Sequence, residues 1–440
     1  MEYLSRNLAS LKEEKDFKFH PRCAKLGITH LSFADDLLLF TRGDLKSVQT
    51  MQKKFTQFTE ASGLQENLSK SEAYFGGVQE TERQQILQCL GFTSGELPFK
   101  YLGIPLATKK LSLMQWQPLI EKMTRKITSW TAKNISYAGR LQLVQSVLFG
   151  VQAFWAQIFI LPAKVTKLVE GLCRSYVWSG ANEITKRALV AWDKVCLSKA
   201  GGGLNLINLK LWNIAAIAKT SWDLAHKQDK LWIKWLHAYY IKTQQLKTMA
   251  IPQQACWMVR KVIESYSIIE EMQFSQDWKK SMIKQIYLHL LGDYSRMEWK
   301  ALVFQNAARP KAQFIMWLLI QDRLMTCDRL INWKINVEPE CVMCKQENET
   351  RDHLFWQCPY ATQVWNKMCR WLGKQHLGNG NWQQFLQWTI RQAKGKSSYA
   401  MTFRMIFAET VYHLWLERNR RVFEKKSRKE EQLTRDSICS

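Results

Sequence analysis

The sequence predicts an α+β fold in which a small antiparallel sheet with helices occupies the first 110 residues and the remainder is mainly helical. Three observations carry this reading. Short apolar runs at residues 28–40 and 99–106 flank polar or glycine-bearing pairs, the pattern of hairpin strands. From Leu113 onward apolar residues recur at three- and four-residue steps, the period of a buried helical face. Near residue 350 a tight Cys/His cluster interrupts that pattern with the spacing of a metal site.

In chain order, Ile28 to Phe33 and Leu37 to Phe40 bracket Asp35 and Asp36 and predict a hairpin. Val48, Met51, Phe55 and Phe58 share one face of a helix predicted over 45–61. Gly63 is placed to end it, since glycine takes the left-handed conformation that closes a helix at little cost. The segment FKYLGIPL at 99–106 predicts a strand pair broken by Gly103 and Pro105. Trp116, Ile120, Met123, Ile127 and Trp130 mark the next helix, 138–157 another, and a third begins after Pro162. Trp116, Trp130, Trp155 and Trp178 read as core side chains. Gly201–Gly203 reads as a flexible linker, and helical patterns rich in Trp and Lys follow to about residue 300. The predicted divisions are 1–110, 111–200, 201–300 and 301–425, with 426–440 as a frayed tail of few apolar groups.

The chain has 440 residues, with 63 Lys plus Arg against 38 Asp plus Glu and a formal net charge of +25. A hydrophobic fraction of 46% excludes a disordered or collagen-like chain. The basic excess points to a polyanionic partner, RNA or DNA first. It is most one-sided over 111–180, where eight basic side chains face two acidic ones. Arg140, Lys164, Lys167 and Arg174 are the candidate phosphate contacts there. The stretch from Val144 to Leu161 is interrupted by Gln145, Ser146, Gln152 and Gln157, so no membrane span is expected. The N-terminus has no signal-peptide core, which implies a nuclear or cytoplasmic, non-secreted chain with reduced cysteines.

Asp35 and Asp36 are the first chemically notable pair. Adjacent carboxylates repel unless a cation screens them, and hard cations such as Mg2+ favour carboxylate oxygens. In Phe33-Ala34-Asp35-Asp36, between His30-Leu31-Ser32 and Leu37-Leu38-Leu39-Phe40, the pair resembles the metal-binding hairpin of reverse transcriptases. Gly63-Leu64-Gln65-Glu66-Asn67-Leu68-Ser69-Lys70-Ser71 is similar to the next palm motif of LINE-type, non-LTR retrotransposon enzymes, and 97–106 to their primer-grip hairpin. The resemblance implies a partial palm over 1–110, a helical thumb over 111–200 and a helical connector over 201–300. It gives Asp35 and Asp36 as vestigial Mg2+ ligands, Lys70 as a residue beside the incoming nucleotide, and Lys100 and Tyr101 as primer contacts. Family polymerases also carry an upstream aspartate, and the only earlier acids here are Glu2, Glu13, Glu14 and Asp16, none in an apolar strand. The expectation is a chain that opens within the palm and does not polymerise alone, Mg2+ serving only in the intact relative.

Near the end, Cys341-x2-Cys344-x8-His353-x4-Cys358 supplies three thiolates and an imidazole, a donor set suited to tetrahedral Zn2+. His353 to Cys358 can start a helix that returns two ligands to the Cys-x2-Cys knuckle. Together with Lys311 to Trp317, Arg323 to Leu330, Trp365 and the closing His413 to Phe423, this region resembles the zinc-binding domain that follows the reverse transcriptase in plant-type LINE elements. A closed four-ligand site is structural, and the resemblance implies contact with RNA or DNA, with an intact element-encoded protein as a further partner. Two other readings compete: a non-enzymatic zinc module for nucleic acid or protein, and a decayed reading frame without function.

Overall fold

The computed structural model describes residues 2–107, 110–131, 135–272, 282–374 and 381–439. The chain divides into two compact units. The first comprises Met1–Trp116, Ile158–Ile160 and Ile214–Ile286, and the second Gln117–Gln157, Leu161–Asn213 and Tyr287–Ser440.

In the first unit, α1 (Glu2–Ala9) packs on α2 (Leu45–Ser62) through Leu4, Leu8, Leu11, Phe17, Met51 and Phe58, all buried. Each such side chain removed from water contributes about 1.5–3 kcal/mol. Asp44 caps α2 by accepting from the Ser47 N–H at 3.0 Å, and Gly63 closes it at φ 72°. The helix thus begins and ends as its sequence predicts. Between α1 and α2, β1 (His30–Phe33) pairs antiparallel with β2 (Asp36–Leu39). β3 (Glu72–Ala73) is joined through α3 (Glu80–Leu90) to a parallel partner, β4 (Thr93–Ser94). β5 (Phe99–Tyr101) and β6 (Ile104–Leu106) form the second hairpin. Among the described residues the strands make three separate two-stranded sheets. A further core gathers Leu224, Ile233, Leu236, Val259 and Val262 in the later part of this unit.

The second unit is helical. α4 (Gln117–Thr131) buries Leu119, Met123 and Ile127. α5 (Tyr137–Ile158) contains a π turn at Val144–Leu148 and is followed by α6 (Ala163–Ser179). By length and composition α5 is apolar enough to cross a membrane. The expectation that no segment qualifies is corrected: Gln145, Ser146, Gln152 and Gln157 are polar but uncharged, and the surrounding Leu, Val, Phe and Ile outweigh them. Its Val144, Leu148, Gln152, Trp155 and Ala156 are buried.

Gly201–Gly203 is not a flexible linker. All three residues are buried, the Trp317 indole N–H donates to the Gly202 carbonyl at 2.8 Å, and Gly202 has φ 85°. A Cβ on Gly203 would lie 2.2 Å from the Leu197 carbonyl oxygen, so these glycines are required by close packing.

The C-terminal part of the unit is built on α7 (Pro310–Ile320), α8 (Cys327–Asn332), α9 (Pro359–Trp371), α10 (Trp382–Gln392), the 26-residue α11 (Ser398–Phe423) and α12 (Glu430–Cys439). Phe355, Trp365, Phe385, Phe403 and Phe407 form its aromatic centre, and the Trp365 N–H donates to the Phe355 carbonyl at 2.7 Å. The predicted frayed tail is corrected here: α12 packs on α9 and α11 with Leu433 fully buried. One leucine and two small residues, Thr434 and Ser437, suffice for a buried seam. The sparse apolar content of the segment hid it.

Candidate metal centre

Cys341 and Cys344 lie in a knuckle closed by backbone bonds. Cys341 N–H donates to Glu347 O at 2.8 Å, Lys345 N–H to Cys341 O at 2.8 Å, and Glu349 N–H to Pro339 O at 2.7 Å. Lys345 takes φ 56°, the left-handed conformation that turns the loop back. His353 and Cys358 come from the other side, on a single π turn over His353–Gln357. In an α-helix residues five apart point roughly 140° away from each other. Here Cys358 N–H bonds to His353 O at 2.7 Å, the five-residue closure of a π turn, which brings both ligands round together.

The four ligand atoms lie within 4.8 Å of one another. Cys341 Sγ to Cys358 Sγ is 3.9 Å and Cys344 Sγ to His353 Nε2 is 3.2 Å. Zn–S bonds of about 2.3 Å in a tetrahedron give sulfur separations near 3.8 Å. Cys341 and Cys358 are fully buried, His353 nearly so, and Cys344 half-buried. The thiol of Cys341 is pushed well above its ordinary range by its hydrogen bond to Cys358 and by burial. The same hydrogen bond holds Cys358 below its ordinary value. His353 Nδ1 meets Glu347 Oε2 at 3.0 Å, which leaves Nε2 as the ligating nitrogen. The donor set, its burial and this orienting carboxylate all fit Zn2+.

The sequence marks Glu347 only by position, three residues after Cys344 in the knuckle. Glu349 was also missed. It is fully buried and accepts from Arg418 Nη2 at 2.7 Å, Arg418 Nε at 3.1 Å and Cys327 N–H at 3.1 Å. On the same helix Glu417 accepts from Arg421 at 2.8 Å and from Arg428 at 3.1 Å. The closing run His413 to Phe423 is thus an ion-pair ladder that ties the knuckle and α12 to α11. Beyond it Phe423 is 76% exposed, and exposed Lys425, Lys426 and Lys429 follow.

The remaining predicted residues fall elsewhere. Asp35 occupies the two-residue turn with Ala34 at φ 50°, and Asp36 opens β2 opposite Phe33. Both carboxylates are exposed. Among the described residues, the Cys/His quartet is the one group of three or more metal-ligating side chains that converge. Lys70 ends an exposed turn at Leu68–Lys70. Lys100 is exposed opposite Pro105, and Tyr101 is half-buried opposite Ile104. Lys164 and Lys167 are exposed on α6. Arg140 donates Nε to Ile135 O at 2.9 Å and Nη1 to Val177 O at 3.3 Å, so its guanidinium is engaged by backbone. Arg174 is half-buried. Trp116, Trp155 and Trp178 are core, and Trp130 packs half-buried on Tyr176 with ring centroids 5.6 Å apart.

Residues 282–365, which include all four ligands, match the family described as zinc-binding in reverse transcriptase. Over 137 residues the chain is 30% identical to a protein of Arabidopsis thaliana named for ribonuclease H; the match covers 31% of this chain and 22% of that protein. Over 112 residues it is 25% identical to an uncharacterized mitochondrial protein of the same plant, covering 25% of this chain and 73% of the other. The matched part therefore spans about a fifth of the first relative's length. The buried Cys3His quartet and its orienting glutamate lie within the segment, residues 282–365, that is similar to the zinc-binding domain of reverse transcriptases.

Proposed function

We infer that the chain is a reverse-transcriptase-related protein of the non-LTR type that binds RNA or DNA through phosphates and does not polymerise DNA by itself. The observation that carries the reading is the contrast between its two metal-type features. The Cys/His quartet is complete and buried, whereas Asp35 and Asp36 stand exposed with no third acidic group gathered beside them among the described residues. Two-metal phosphoryl transfer requires carboxylates in close array around both ions. A pair on a hairpin turn holds at most part of that array.

Support for phosphate binding comes from exposed Lys122, Arg125 and Lys126 on α4 and Lys164 and Lys167 on α6, in a segment nearly free of acids. The Phe423 to Lys429 stretch adds an aromatic face with unengaged lysines. Zn2+ held by Cys341, Cys344, His353 and Cys358 supplies structure, and the closed donor set leaves no position for substrate.

The test pairs two assays on the zinc-loaded chain. Primer extension with Mg2+ should yield no product above a no-enzyme control, and robust extension refutes the inactive reading. Affinity for a labelled duplex should fall steeply with salt, with a log–log slope of about −0.9 per phosphate neutralised. Lys164→Glu/Lys167→Glu should flatten that slope. A flat salt response in the unmodified chain defeats the phosphate-binding reading.

A further inference from the structure

Residues 353–408 carry seven basic side chains and no acidic one, a stretch more one-sided than 111–180. Within it α9 ends in a fixed closure. Gly373 takes φ 64°, its N–H bonds to Arg370 O at 3.1 Å, and Lys374 N–H bonds to Cys369 O at 2.8 Å. These are the paired bonds of a Schellman motif, which satisfies the last carbonyls of a helix. Leu372 turns inward and is buried, whereas Trp371 is 55% exposed and Arg370 beside it is exposed.

The start of α11 meets this corner. The Tyr399 hydroxyl donates to Leu372 O at 3.4 Å, one residue from Trp371, and the Lys374 ammonium lies 4.9 Å from the centroid of the Tyr399 ring. Tyr399 is itself 39% exposed. Buried Arg404 holds the loop before α11 by donating Nη1 to Ala393 O and to Gly395 O, both at 3.0 Å. That loop carries Lys394 and Lys396, both exposed. Acids on neighbouring elements are occupied elsewhere: Glu431 of α12 pairs with Lys367 at 3.3 Å, and Glu298 accepts from Gln387 of α10 at 3.3 Å. Among the described residues no acidic side chain pairs with Arg370, Lys374, Lys394 or Lys396.

Charge and ring chemistry together select the occupant. Cations with no carboxylate among them attract a polyanion. An exposed indole held beside them offers a flat apolar face, and the polyanion that presents flat faces in return is a nucleic acid whose bases are unpaired. A duplex keeps its bases stacked on one another and offers only phosphates and groove edges. We propose that the corner between the end of α9 and the start of α11 binds single-stranded RNA or DNA, with a base stacked on Trp371, Tyr399 flanking it, and phosphates on Arg370, Lys374, Lys394 and Lys396. The site uses none of the residues of the α4 and α6 surface, of the Phe423 stretch or of the zinc centre. It adds a preference for unpaired strands, which contacts to phosphates alone do not confer.

The experiment uses the full zinc-loaded chain and fluorescein-labelled oligo-dT, oligo-rU, an abasic strand of equal length and a blunt duplex, with binding read by anisotropy at one fixed salt. The abasic strand carries phosphates without bases, so oligo-dT and oligo-rU should bind more tightly than it does, and any difference between those two names the strand held. Trp371→Ala should weaken oligo-dT binding by about tenfold, the loss of one stacked base, and leave abasic and duplex binding unchanged. Trp371→Phe should restore most of that loss. Lys394→Gln/Lys396→Gln should weaken oligo-dT and the abasic strand alike, several-fold at low salt. Each variant should keep one zinc per chain and the parental melting midpoint. Lys164→Glu/Lys167→Glu should lower duplex affinity yet keep the preference for oligo-dT over the abasic strand, so the two surfaces fail separately. The proposal is overturned if the abasic strand binds as tightly as oligo-dT, if Trp371→Ala or the double lysine variant keeps parental affinity for oligo-dT, or if Trp371→Ala weakens the duplex equally. It is also overturned if Trp371→Ala loses binding to phosphatidylserine vesicles and not to oligo-dT, which makes the corner a membrane contact.

Discussion

Replacing Glu349 with alanine tests how the knuckle is held to the rest of its unit. The carboxylate is fully buried, its partner Arg418 is 5% exposed at the side chain, and two short bonds of 2.7 and 3.1 Å join them. Burial works against the Arg418 charge, yet its hydrogen bonds to Glu349 more than offset this and hold its pKa above the ordinary value. Removing the glutamate strands that guanidinium, frees the Cys327 N–H and leaves a void. Hydrogen bonds to charged groups contribute about 1.5–3 kcal/mol each, and breaking a buried pair by removing one partner costs about 3–5 kcal/mol in measured cases. We take about 3–5 kcal/mol, a fall of roughly 6–20 °C in the midpoint of the zinc-bearing unit. Calorimetry at saturating zinc measures it, with zinc release to a chromogenic chelator as the second readout. The paired substitution Glu349→Leu/Arg418→Met should recover most of the loss, because no charge is then left buried. A single variant within about 1 kcal/mol of the parent, or a double variant no better than the single, refutes the reasoning.

Cys344→Ser should lower zinc content from one per chain to less than half by elemental analysis and loosen 338–358, seen as faster amide exchange there. Gly203→Ala should destabilise the second unit by about 1–3 kcal/mol or more, since the new Cβ meets backbone and not a movable side chain; chemical denaturation measures it. Leu433→Ala should cost about 2–5 kcal/mol and raise proteolysis at 426–440, whereas a frayed tail would tolerate it silently. Burial, with Arg309 beside it, holds His413 below its ordinary pKa of 6.5. It is neutral when folded and takes up a proton on unfolding, so its contribution is full above pH 6.5 and fades as pH falls through that value. Comparing His413→Asn with the parent between pH 5 and 8 should show the variant losing less stability on acidification; parallel curves would count against it.

The local features were legible because each is set by neighbours in sequence. The hairpin around Asp35 follows from two apolar runs and a short turn, the stop at Gly63 from glycine's access to positive φ, and the zinc quartet from donor type and spacing. What stayed hidden depends on partners far along the chain. Gly202 and Gly203 read as a linker until Trp317 and the Leu197 carbonyl close on them. The 430–439 segment reads as a tail until α9 and α11 supply the surface that Leu433 fills.

The sequence by itself determined the basic composition, the helical periodicity, and which atoms can hold a metal. Tertiary structure decided which charges are free. Arg418, Arg421 and Arg428 look like any basic run until Glu349, Glu417 and Asp436 pair with them. Trp371 looks like any tryptophan until the closure of α9 leaves it outside. Charge pairing and exposure depend on distances in space, and separation along the chain does not encode them.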